Sequence, residues 1–216
     1  MWLQELSMNI NEILNRNVIV DDHGTRFRVH MELDLDKKDR DRNLSTLTSD
    51  QYFMYLLFNL HEMKMIIFDI VSNIINRVNI YFDDSGLPRY YHGTDNIILT
   101  KPRNYKSLHL FFSAMFHEIT HWMIHRKEST IDKEITLLLD EEEIVAELVS
   151  LCIMEELGYS NKIKQYSLDY IDEYLEALRD NKNIDIQLSI EKMESLTKRL
   201  INQFKSFFYK ECKTNE

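Results

Sequence analysis

Glycine and proline are nearly absent, with 4 Gly and 2 Pro in 216 residues. That scarcity excludes turn-rich all-β architectures and favours long helices joined by short loops. Cysteine is equally scarce. Cys152 and Cys212 are the two present, and they supply no disulfide framework, which fits a reducing compartment. Positive charge is short as well: 26 Lys and Arg stand against 36 Asp and Glu, a formal net charge of −10. Phosphate contacts need clustered cations, so tight nucleic-acid binding is not supported by charge. Long apolar runs are missing too. The longest uncharged apolar stretch, residues 51–60, is too short to span a bilayer. Met1 to Asn15 is a mixed polar and apolar segment with no secretory pattern. A cytoplasmic protein with no membrane association is expected. What remains is 44% apolar and 11% aromatic, enough for one folded domain with a real core.

The chemistry concentrates at His117-Glu118-Ile119-Thr120-His121, an H-E-x-x-H sequence inside the apolar run Phe111 to Ile124. Chance supplies such a pattern at roughly 0.03 per chain of this composition. On a helix, residues four apart share a face, roughly 6 Å apart at Cβ. Two imidazoles so placed can bind one Zn²⁺, and Glu118 then lies beside the metal as a general base. Burying two His and a Glu among Phe111, Phe112, Met115, Phe116 and Trp122 is costly unless something satisfies them.

Zinc requires a third protein ligand. His125 continues the i, i+4, i+8 row, but eight helical residues span about 12 Å. One metal cannot reach both ends, so His125 reads as a supporting or surface group. A better donor lies in a second helix, expected from Glu141 to Leu157. Glu143 and Glu147 share a face there, with the small Ala146 between them allowing close helix approach. Glu143 is the first choice and Glu147 the alternative. Whichever does not bind metal can hold a ligand His by a hydrogen bond. Glu141 and, for the most part, Glu142 read as a solvated acidic first turn that favours the helix dipole.

Around these helices, Met1 to Asn15 reads as a short helix, Val18 to Leu35 as a hairpin, and Lys37 to Asn43 as an exposed loop. A long helix is expected from Ser49 to about Asn76, in which His61-Glu62 is structural. Strands are expected at Val78 to Phe82 and Asn96 to Thr100. Further helices are expected at Ser107 to His125, Leu168 to Arg179 and Ile186 to Phe208. Strands followed by a helix bearing H-E-x-x-H give an α+β, zincin-like fold. It is mainly helical, with a small sheet packed against that helix. Ile97-Ile98-Leu99 is the expected edge strand, placed to pair with an extended substrate. His109, Tyr166 and Tyr170 are the candidates for a donor to the transition state.

A longer set of residues carries a family resemblance. Tyr91, Asp95-Asn96-Ile97, Pro102, His117 to Trp122, Glu142 to Glu147, Leu157-Gly158 and Tyr170 to Leu175 together resemble the zincin-like metallopeptidase domain of ArdC-type antirestriction proteins, over about Tyr90 to Phe204. The resemblance implies a zinc-dependent domain carried by phages or plasmids and joined to a part that binds single-stranded DNA. It implies His117, His121 and a Glu as ligands, with Glu118 as base. The E-x-x-A pattern of related ImmA-type peptidases selects Glu143. Residues 90–210 are then the metallopeptidase core. Residues 1–89 are an N-terminal strand and helix portion, shorter and more acidic than the family's DNA-binding part, that either stands apart or belongs to the same domain. The expected function is a zinc metallopeptidase of anti-defence type, with a protein or peptide substrate such as a host defence protein. The alternative is an antirestriction or DNA-associated protein whose zinc is structural.

Overall fold

A computed structural model describes residues 65–84, 86–129, 131 and 135–209. The helix, hairpin and loop expected before residue 49, the start of the Ser49 helix, and His61-Glu62 lie outside the described residues. Helix α1 runs Met65–Ile75, followed by strands β1 (Asn79–Asp83), β2 (Arg89–Tyr91) and β3 (Asn96–Thr100). A short 3-10 turn at Pro102–Asn104 leads into helix α2 (Leu108–His125). Helices α3 (Leu139–Glu156), α4 (Ser160–Asp180) and α5 (Ile186–Phe208) follow. The architecture is α+β and mainly helical, as the scarcity of Gly and Pro requires.

The three strands form one sheet in the order β1-β3-β2. β1 runs parallel to β3, with Ile80 opposite Ile97, and β2 runs antiparallel to it, with Tyr90 opposite Ile97. The expected edge strand, Ile97 to Leu99, is therefore corrected: β3 is the central strand. Its alternation drives it there, because Ile97 and Leu99 are fully buried and both of its backbone edges are paired. Among the described residues, β2 takes the edge beside α2. Three residues are too few to show an alternating pattern, and sequence reading passed over it.

Helices α2 and α3 are buried almost all round and form the centre of the molecule. Ser107 caps α2 by accepting a hydrogen bond from the Leu110 N–H at 3.3 Å. The two helices approach closely at small residues. Ser113 Oγ lies 3.0 Å from Ser150 Oγ, which also donates to the Ser113 carbonyl at 2.8 Å, and Ala146 is fully buried. At the start of α3, Glu141 accepts the Leu138 N–H at 2.8 Å and pairs with Lys192 of α5. Glu141 is thus buried and paired, contrary to the solvated role expected from the sequence. α3 stops at Gly158, whose φ of 84° suits a residue without Cβ.

α5 packs Met193, Leu196, Leu200, Phe204 and Phe208 inward at helical spacing. Phe204 meets Phe116 of α2 edge-on at 5.5 Å. The Asn73 side chain of α1 donates to the Phe208 carbonyl at 2.8 Å, which ties the first described helix to the last. Among the described residues, no helix is long and apolar enough to cross a membrane.

Candidate metal centre

His117 and His121 project from one face of α2, as their spacing requires, toward the first two turns of α3. Their Nε2 atoms stand 3.1 Å apart. Glu143 reaches across from α3, with Oε2 3.2 Å from His117 Nε2 and Oε1 3.7 Å from His121 Nε2. One ligand atom from each of these three residues lies within 4.8 Å of the others. Two imidazole nitrogens and a carboxylate oxygen form the donor set of a zinc site with three protein ligands.

The far nitrogen of each imidazole is occupied. His117 Nδ1 lies 2.9 Å from Glu147 Oε2, and His121 Nδ1 lies 2.6 Å from Glu142 Oε1. An ionised carboxylate only accepts, so each Nδ1 carries a hydrogen, and once Nε2 has given up its own proton its lone pair is directed at the common point. The donor set and the tautomers agree, and the residues fit a metal ion. The structure brings His117, His121 and Glu143 together. It sets Glu147 behind His117 and His125 beyond Glu142.

Electrostatics supports the same geometry. Burial disfavours the His117 imidazolium, but the hydrogen bonds it donates to Glu143 and Glu147 outweigh it and raise its pKa to about 10. A cation is what this pocket stabilises. Burial also works against the Glu142 carboxylate, yet His121 and His125 hold its pKa down to about 2. Glu143 is lowered against its burial by His117, His121 and Tyr170. Glu118 moves the other way: burial raises its pKa, partly countered by His117 and His121. A hydrogen bond from the Tyr90 backbone of β2 meets its carboxyl, so the edge strand lies beside this residue.

Sequence reading placed Glu142 mostly in solvent, and the structure corrects this. Its Oε1 is shared by His121 Nδ1 and by His125 Nε2, the latter at 2.8 Å. Of the three candidate donors, Tyr170 is at the site. Its hydroxyl donates to Glu143 Oε2 at 2.7 Å, and its ring meets His117 edge-on at 5.6 Å. Tyr166 lies near enough to Glu147 for that charge to raise its pKa, though burial raises it more. His109 packs on Tyr159 at 4.9 Å, two helical turns before His117.

Residues 70–188 match the family described as zincin-like metallopeptidases. Among solved structures, the chain is similar to the antirestriction ArdC protein from R388 plasmid. The Mn(II)-bound form is 20% identical, with a TM-score of 0.43, covering 65% of this chain and 54% of that one. The metal-free form is also 20% identical, with a TM-score of 0.38, covering 64% and 51%. This chain thus spans about half the length of those proteins. No curated protein matches.

Proposed function

The chain belongs to the zincin-like metallopeptidase family, and from that membership we propose that it is a zinc-dependent peptidase of antirestriction type acting on a host defence protein. His117, His121 and Glu143 hold the zinc. Glu147 and Glu142 fix the tautomers and orientations of the two imidazoles. When bound, the zinc supplies a Lewis acid that acidifies water and polarises a carbonyl.

Glu118 does the proton work. It takes the proton of the attacking water and returns it to the nitrogen of the leaving amine as the peptide bond breaks. Its burial beside the two imidazoles, which raises its pKa, suits a group that must both accept and release a proton. The substrate lies extended along the outer edge of β2, which pairs on one side only among the described residues. That edge replaces the Ile97 to Leu99 edge. The observation that carries this reading is the convergence of two imidazole nitrogens and a carboxylate beside the buried Glu118.

The antirestriction half rests on the residues from Tyr91 to Leu175 that resemble ArdC-type proteins. A structural zinc in an antirestriction protein is the second reading. It needs the same ligands but has no use for Glu118. Metal analysis joined to proteomics of host cells separates the two. Cells carrying the wild type are expected to lose an intact host protein that cells carrying Glu118→Gln retain. Identical proteomes, together with equal protection of an incoming mobile element by both forms, favour the structural zinc.

A further inference from the structure

The shared acceptor Glu142 gives His125 a part to play that its distance from the ligand atoms hides. His121 and His125 stand one turn apart on α2, and both aim a ring nitrogen at the same oxygen. Glu142 Oε1 lies 2.6 Å from His121 Nδ1 and 2.8 Å from His125 Nε2. A glutamate reaching from another helix has three rotatable bonds, and a single hydrogen bond leaves it free to swing. Two donors on one oxygen fix its direction. His125 is itself held. Its ring lies parallel to Tyr90, at an interplanar angle of 9° and 6.3 Å between centroids. The ring of His92 meets it edge-on at 5.3 Å. Tyr90 in turn is anchored by its hydroxyl, which donates to Asp95 Oδ1 at 2.9 Å. Asp95 occupies the turn between β2 and β3 in the left-handed region, at φ 50°.

We propose that His125 is a positioning residue that acts on the metal ligand His121 through Glu142, and that the β2–β3 turn holds it in place through Tyr90 and His92. This inference rests on the ligand assignment above. His125 touches neither metal nor substrate. It sets the direction of the carboxylate that sets the direction of the ligand.

Zinc affinity of the full chain, measured by competition with a chromophoric chelator, tests it without any substrate. His125→Phe keeps a ring against Tyr90 and loses the donor, and zinc affinity is expected to fall about tenfold, at the lower end of the loss seen for outer partners of metal ligands. His125→Gln keeps an N–H for Glu142 but loses the ring that Tyr90 and His92 hold, and it is expected to fall between the wild type and His125→Phe. In a Glu142→Ala background, His125→Phe is expected to cost nothing further. Metal-free circular dichroism of each variant confirms that the fold is intact. Equal affinities for the wild type and His125→Phe overturn the proposal, and so does an additive loss in the double variant. A wild type that binds no zinc overturns the ligand assignment and this inference with it.

Discussion

Replacing Glu147 by Gln separates a ligand from the group that steadies a ligand. Glu147 Oε2 accepts from His117 Nδ1 at 2.9 Å, with the two side chains only 6% and 10% exposed. Gln keeps the length and an acceptor but loses the charge. Hydrogen bonds to charged groups contribute about 1.5–3 kcal/mol and neutral ones about 0.5–1.5, so the exchange costs about 1 kcal/mol. The other carboxylate oxygen, Oε1, is buried without a hydrogen-bond partner among the described residues. An amide NH₂ placed there adds an unsatisfied donor, worth about 1–3 kcal/mol. The metal-free variant is therefore expected to lose about 2–4 kcal/mol of stability. Its zinc affinity is expected to fall about 10- to 100-fold, as for other outer-sphere partners. Thermal unfolding with and without zinc reads both effects. With zinc at about 100 times the wild-type Kd, binding stabilises the wild type by about 2.7 kcal/mol. At the same zinc concentration the variant gains only about 0.4–1.4 kcal/mol, a difference of several degrees in Tm for a domain of this size. Glu143→Ala, which removes a donor atom, is expected to lose stoichiometric zinc under the same conditions. The reverse result, with Glu143→Ala holding one zinc and Glu147→Gln holding none, refutes the division of roles.

Three further outcomes are expected. Glu118→Gln keeps the fold and one zinc per chain but loses hydrolysis by roughly 10² to 10⁴; unchanged turnover of an identified substrate counts against the peptidase mechanism. In the metal-free protein, His117 has its pKa raised from 6.5 to about 10. Its contribution to stability is therefore complete below about pH 6.5 and is lost as pH rises through about 10. Zinc must displace that proton, so its affinity rises as metal-free stability falls across this window; chelator competition and thermal scans at stepped pH check both trends, and two flat profiles contradict them. Lys192→Met leaves the fully buried Glu141 without its cation, and a loss of about 3–5 kcal/mol is expected in denaturant unfolding, whereas a cost under about 1 kcal/mol shows that the pair behaves as if solvated.

The parts legible in the sequence are those set by periodicity. The i, i+4 spacing of His117 and His121 placed them on one helical face, and the Asn96–Thr100 and Ile186–Phe208 elements have the expected bounds. Ala146 marks where α3 approaches α2, but it leaves Glu143 and Glu147 alike, and only the E-x-x-A resemblance prefers Glu143. Glu142 was not legible, because an acidic first turn looks the same whether it faces water or two imidazoles. Three consecutive Glu residues on a helix point 100° apart, and only the partner helix decides which of them turns inward. Strand order escaped for a related reason. Ile97 and Leu99 show a buried face but not how many neighbours flank the strand, and β2 is too short to announce itself. α4 begins at Ser160, before the expected Leu168, because its first turns are polar apart from Ile163.

The site is assembled from two helices that are neighbours along the chain. His117 and Glu143 are 26 positions apart (143 − 117), and the connection between α2 and α3 runs only from residue 126 to 138. A metal held by these two residues is therefore also a short-range staple. Closing a loop of this length removes about 3.5 kcal/mol of chain entropy from the unfolded state, by the relation used for disulfides. An ion bound there would serve folding as well as any chemistry, in a chain with no disulfide among its described residues.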